Sequence, residues 1–213
     1  MTTYLWDTTL DSTFPTRVIQ PTPKQTIGAD ELKMKLTELD LKRQRIITAG
    51  LLEPKTTPYF NSEIPIDDTA KNILTLYAAD VEKKLSVFDS VTAKAELFKE
   101  LLNKRYAYKK MAIEVKSGFR LTTSAGEPLR PSDLSSGEQH ELVLLYELLF
   151  KTAPNSLILI DEPELSLHVA WQVEFLEDLS RIIKLSAFDV ILATHSPQII
   201  NNHWDWTVEL KGP

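Results

Sequence analysis

The sequence predicts an α/β lobe over residues 109–213, with a parallel sheet covered by helices, preceded by a helical arm at 30–108. Three observations carry this reading. Two short runs, Leu157–Ile160 and Val190–Thr194, are apolar throughout, as strands buried on both faces are. Between them Leu165–Leu185 has the spacing of an amphipathic helix, which gives the strand-helix-strand order of a parallel sheet. Upstream, apolar residues recur at steps of three and four over most of 30–108.

Taken in order, residues 1–29 place Pro15, Pro21 and Pro23 around a short β-type run, Arg17–Ile19, and read as a strand remnant and loop. Asp30 can cap a helix holding Leu32, Leu36, Leu39 and Ile46, which Gly50 ends, and Pro54, Pro58 and Pro65 mark a loop. A second helix starts near Asp67 or Asp68. Its stripe runs through Leu74, Tyr77, Val81, Leu85, Phe88, Val91, Ala95, Phe98 and Leu102, with a break between Ser86 and Ser90. Two helices joined by a proline-bearing loop predict an antiparallel arm. Met111, Ile113 and Val115 alternate with Ala112 and Glu114, Gly118 allows a turn, and Phe119 and Leu121 continue in extended form, so 109–130 reads as a β-hairpin. Ser135 or Ser136 then opens a helix through Phe150.

Composition removes several function classes. The 213 residues contain no cysteine, which excludes disulfides, thiolate metal sites and a Cys nucleophile, and the four histidines (140, 168, 195, 203) are too scattered to suggest zinc. No apolar run approaches the ~18 residues needed to cross a bilayer, and MTTYLWDTTLDS lacks the features of a signal peptide. A cytoplasmic location with no membrane partner is the expectation. The six glycines, at 28, 50, 118, 126, 137 and 212, never take the spacing G-x-x-x-x-G-K-[ST] or G-x-G-x-x-G, so the sequence holds no phosphate-cradling glycine loop. The net charge of −6 is uneven: residues 81–120 carry ten basic and five acidic side chains, residues 121–213 five basic and fourteen acidic. The basic stretch is interleaved with Glu82, Glu96, Glu100 and Glu114, the pattern of a solvated helix face, and leaves DNA as one partner the arm could touch.

Three segments carry chemistry. Leu157-Ile158-Leu159-Ile160-Asp161-Glu162-Pro163-Glu164 delivers two carboxylates to the carboxyl edge of a parallel sheet, where ligands bind in open α/β folds. Asp161 there can support Mg²⁺ and Glu162 can orient or deprotonate a water; the plainer alternative is a strand ending in an acidic loop. Ala193-Thr194-His195-Ser196-Pro197 ends the second apolar strand, so His195 should emerge on the same edge. Leu134-Ser135-Ser136-Gly137-Glu138-Gln139 opens a helix, leaving N–H groups and the positive end of the helix dipole for an anion; here the alternative is a plain capping box of Ser135 and Glu138.

In this order the segments resemble the second half of an ABC-type P-loop ATPase: LSSGEQ as signature, LILIDEPELSLH as Walker B and D-loop, ATHSPQII as switch histidine. The variants look most like the soluble SMC, RecF and OLD-like branch, and the resemblance covers residues 130–200. It implies Asp161 as the Walker B aspartate at Mg²⁺, Glu162 as the catalytic glutamate and His195 as the histidine at the γ-phosphate of ATP. It implies Ser135, Ser136, Gly137 and Glu138 as the signature that closes over ATP held by an opposing subunit, Ser136 standing where a glycine is commoner. Ser166 and His168 fall in the D-loop, which crosses the dimer interface in that family, although His168 could equally sit uninvolved in a first helical turn. Without a Walker A glycine loop, and with Gln20 and Gln25 in proline-rich context, no complete ATP site is expected from these residues alone. The sequence is therefore read as the carboxyl-terminal part of a longer ATPase, with a split ATPase completed by a Walker A-bearing partner and a degenerate homologue as alternatives. The implied assembly is a homodimer or hetero-oligomer through the signature and D-loop faces, in DNA repair or phage defence. A non-catalytic interaction module is the alternative from another class.

Overall fold

The computed structural model describes residues 14–19, 27–54, 66–165 and 167–209. The chain divides into two compact units, Met1–Thr92 and Ala93–Pro213. The first holds α1 (Phe14–Ile19), α2 (Ala29–Ala49) and α3 (Asp68–Ser86); α4 (Asp89–Arg105) carries the boundary within its length.

In the first unit, Leu32, Leu36, Leu39 and Ile46 of α2 and Ala78, Val81 and Leu85 of α3, with Phe88, form one buried cluster. Gly50 ends α2 in the left-handed region at φ +86°, where the absence of a Cβ removes the steric cost. Asp67 caps α3 through its side chain, which accepts from the Ala70 N–H at 2.7 Å. Two expectations are corrected here. Residues 14–19 are helical, and Arg17 reaches across to Asp80 of α3 (Nη1 to Oδ1 2.8 Å). The arm is also not antiparallel. Lys35 pairs with Glu82 at 2.8 Å and Lys42 with Asp89 at 2.7 Å. Both pairs therefore span 47 residues, Glu82 in α3 and Asp89 at the start of α4, and the constant offset means that the chain from Glu82 to Asp89 advances in the same direction as α2. The sixteen residues between Gly50 and Asp67 exceed the two to five that force an antiparallel helix hairpin, so the proline-bearing loop carried no directional information.

The second unit begins with the remainder of α4, whose Leu97, Phe98, Leu101 and Leu102 are buried. The hairpin follows as β1 (Lys109–Glu114) and β2 (Gly118–Thr123), antiparallel with Met111 opposite Leu121, and a two-residue β3 (Pro128–Leu129) extends it. Next come α5 (Ser136–Tyr146), a π-helical turn over Glu147–Lys151, and β4 (Leu157–Asp161). The helix expected at Leu165–Leu185 is three pieces: a 3₁₀ turn at Pro163–Leu165, α6 (Val169–Gln172) and α7 (Phe175–Ser186). The strand β5 (Asp189–Ala193) pairs with β4 in parallel, Leu159 opposite Ile191 and Asp161 opposite Ala193, and α8 (Pro197–Ile200) follows. The result is a mixed α/β unit with a small parallel sheet.

That sheet is covered on one face only among the described residues. Ile158, Ile160, Val190 and Leu192 pack on the core shared by α4, α5 and α7. Their alternates Leu157, Leu159 and Ile191 are 56%, 72% and 58% exposed. Strands of parallel sheets read as continuous apolar runs because both faces are normally covered. Here one covering layer is absent from the described residues.

Candidate functional site

The parallel register fixes the carboxyl edge. Asp161 lies opposite Ala193 at the last paired position, and the Glu162 N–H donates to the Ala193 carbonyl at 2.9 Å. Glu162 then takes φ +44°, a left-handed conformation that costs a non-glycine residue about 1 kcal/mol. The turn buries Pro163 and leaves the Glu162 side chain 43% exposed at the edge. His195, 90% exposed, brings Nε2 to 3.8 Å from Glu162 Oε1. Asp161, Glu162 and His195 thus share one sheet edge, as the sequence predicts.

A second tier lies beneath them. The Glu164 carboxylate accepts from the Thr194 hydroxyl at 2.8 Å and from the His195 N–H at 2.8 Å. The Ser196 N–H in turn donates to Thr194 Oγ1 at 3.0 Å. Burial acts to raise the Glu164 pKa, but the hydrogen bonds it accepts outweigh that and hold it below the usual carboxylate value. Gln172, at the end of α6, is buried. Its Nε2 donates to the carbonyls of Glu164 and Leu167, each at 3.3 Å, and its Oε1 accepts from the Ser196 hydroxyl at 2.8 Å.

The signature segment is built separately. Ser135 caps α5 and forms a capping box with Glu138, whose carboxylate accepts from the Ser135 N–H (2.8 Å) and hydroxyl (2.9 Å). Lys109 Nζ donates to both Glu138 oxygens at 2.7 and 2.8 Å, and the Tyr106 hydroxyl donates to the Glu138 carbonyl at 2.9 Å. Burial opposes ionisation of Glu138, and the bonds from Lys109 and Ser135 reverse that, so its pKa falls below the ordinary value. Burial and the adjacent Glu138 charge push the Tyr106 hydroxyl well above its usual range. Behind them, Arg105 at the end of α4 is buried against Glu141 of α5 and Asp178 of α7. The Glu138 carboxylate, 8% exposed, is engaged inside the protein, whereas Ser135 and Ser136 are exposed. The first-turn N–H groups of Ser136 and Gly137 have no acceptor within their own helix. No hydrogen bond or ion pair joins 134–139 to Asp161, Glu162 or His195 among the described residues.

His168 caps α6, Nδ1 accepting from the Ala170 N–H at 3.3 Å, while Ser166, Gln20 and Gln25 lie outside the described residues. Several cations of the basic stretch are engaged internally: Lys104 with Glu174, Arg105 in its buried cluster, Lys109 with Glu138 and Arg120 with Glu114. The sequence carries little signal of the roles of Glu164, Gln172, Thr194, Tyr106 and Lys109: Glu164 stands one proline beyond Glu162, and Lys109 lies in a basic stretch with the pattern of a solvated face.

The residues present suit a nucleotide in part. Asp161 is exposed at the sheet edge as a single carboxylate, which matches an ion that keeps waters and phosphate oxygens as its other ligands. Among the described residues no three His, Asp or Glu side chains cluster as a metal site, and the sequence has no glycine loop. No described helix is long and apolar enough to cross a membrane.

Carboxylates and a histidine at the carboxyl edge of a small parallel sheet fit a P-loop ATPase-type domain, which the family match supports. The family model described as "AAA domain, putative AbiEii toxin, Type IV TA system" matches residues 32–201, and the chain belongs to that family. No curated protein matched the chain.

Proposed function

We propose that this chain forms the signature, Walker B and switch part of an ATP-hydrolysing ABC-type ATPase of the SMC/RecF/OLD-like branch, completed by a Walker A-bearing segment or chain. The observation that carries the proposal is the meeting of Glu162 and His195 at 3.8 Å, beside Asp161, on one sheet edge. Mg²⁺ bound with ATP would supply charge neutralisation on the phosphates. Asp161 would bear on that ion, Glu162 would hold and polarise the attacking water, and His195 would meet the γ-phosphate. Ser135, Ser136 and Gly137 would close over nucleotide held by an opposing subunit, with Glu138 holding the helix start in shape. The uncovered Leu157, Leu159 and Ile191 support a missing layer that brings the glycine loop. The family description, which names a putative toxin of a type IV toxin–antitoxin system, favours a toxin–antitoxin setting over DNA repair. ATP turnover by the 213-residue chain, with and without a Walker A-bearing half, tests the reading: turnover should need both, and Glu162→Gln should abolish it.

A second reading, a non-catalytic module that lends its signature to a partner ATPase, is favoured by the exposure of Ser135 and Ser136 without a bond to the carboxylate edge among the described residues. It predicts that the supplemented complex hydrolyses ATP equally well with Glu162→Gln.

A further inference from the structure

We infer that Glu164 and Gln172 are positioning residues that clasp the D-loop segment to the histidine loop, so that a shift of 163–172 moves His195. The inference rests on the ATPase reading above for its consequence, and on geometry alone for its existence. Each side chain has one end on each segment. Glu164 belongs to the 3₁₀ turn after Glu162, and its two oxygens are taken by the Thr194 hydroxyl and the His195 N–H, both at 2.8 Å. Gln172 reaches back from α6 to the carbonyls of Glu164 and Leu167 and accepts the Ser196 hydroxyl.

The direction of dependence follows from burial and chemistry. Gln172 is buried and its amide serves three partners, so it cannot turn away without leaving polar groups unpaired. Glu164 accepts as a carboxylate, which strengthens both of its bonds. His195, in contrast, has an almost fully exposed ring whose position is set from the backbone side, through its own N–H. The backbone that carries the histidine ring is thus held by Glu164 and, through Ser196, by Gln172. Without the clasp, β5 would still deliver His195 to the edge, but the loop from Thr194 to Ser196 would lose three of its anchors.

The test has two readouts on the full chain. In the chain alone, Glu164→Ala should speed hydrogen exchange of the His195 amide about tenfold, the scale of a charge-assisted hydrogen bond. Glu164→Gln, which keeps one acceptor oxygen, should recover part of that protection, and Gln172→Leu should loosen the Ser196 end. The Ile160 and Ile191 amides, which donate within the β4–β5 ladder, serve as a reference for folding. Exchange at His195 that stays within twofold of wild type in Glu164→Ala, with the strand amides still protected, refutes the clasp whatever becomes of the ATPase reading. In the completed ATPase, Glu164→Ala should lower kcat about tenfold or more with nucleotide affinity unchanged, and Glu164→Gln should restore part of it. Faster exchange with unchanged kcat refutes the positioning role.

Discussion

Replacing Arg105 by Leu should be among the most destabilising single changes in the second unit. The guanidinium is buried between Glu141 of α5 and Asp178 of α7, and both carboxylates are buried. Removing one partner of a buried ion cluster costs about 3–5 kcal/mol, because the charges left behind cannot recover their hydration. Arg181 approaches Asp178 only at 3.9 Å and cannot take over. Against a typical folding free energy of about 5–15 kcal/mol this is a large fraction, and with a urea slope near 2 kcal/mol/M the midpoint should fall by about 2 M. The pH dependence gives an internal check. Burial already raises the Asp178 pKa, with Arg105 as the largest opposing influence. Without Arg105 the folded-state value rises further above the unfolded one. The penalty then applies at pH 7 and shrinks as pH falls through that raised value, since the protonated acid is neutral. Replacing Arg105, Glu141 and Asp178 together by Leu should cost far less than the single change. Urea unfolding followed by circular dichroism at pH 7 and pH 5 reads all of this. A single-variant penalty below about 1 kcal/mol, or one that does not shrink on acidification, refutes the reasoning.

Other expectations follow from the same geometry. Glu138→Ala removes a cap and leaves Lys109 without its partner, so stability should fall by about 1–2 kcal/mol by urea titration at neutral pH. The Glu138 pKa is depressed in the fold, so its contribution is present above the ordinary value of 4.5 and is lost as pH falls through the folded one; an unchanged penalty in acid argues against it. Glu162→Gln should reduce steady-state turnover of the completed ATPase by at least about a hundredfold while leaving nucleotide binding intact. Leu159→Lys, on an already exposed position, should change the chain's own stability by less than about 0.5 kcal/mol yet block complementation by a Walker A-bearing half, read as lost co-purification and lost turnover. Protection of the His195 amide should persist to below the ordinary carboxylate value of 4.5, since the Glu164 pKa is lowered, and in stronger acid fall toward the level of Glu164→Gln, because the protonated acid keeps one acceptor oxygen.

Local pattern by itself determined much of this protein. Asp67 as a cap, Gly50 as a helix end, the break near Ser86, the hairpin about Gly118 and the two apolar strands were legible because each depends on a few neighbouring residues. So was the edge bearing Asp161, Glu162 and His195, because a parallel pair must deliver both strand ends to one side. What only the tertiary structure decided depends on distant residues or on direction. The common direction of α2 and the chain from Glu82 to Asp89, across the end of α3 and the start of α4, is marked by Lys35–Glu82 and Lys42–Asp89, and an apolar stripe has no polarity along the helix. The helix expected from Leu165 stops at Gln172 and restarts at Phe175, and Gln172 turns its amide onto the carbonyls of Glu164 and Leu167, contacts that periodicity cannot register. Lys109 reads as a solvated charge until Glu138 is seen beside it, and an all-apolar strand does not say that one of its faces is left bare. Spacing along the chain encodes which elements form and which edge they share. The partners that orient Glu138 and His195 come from elements brought together only by packing.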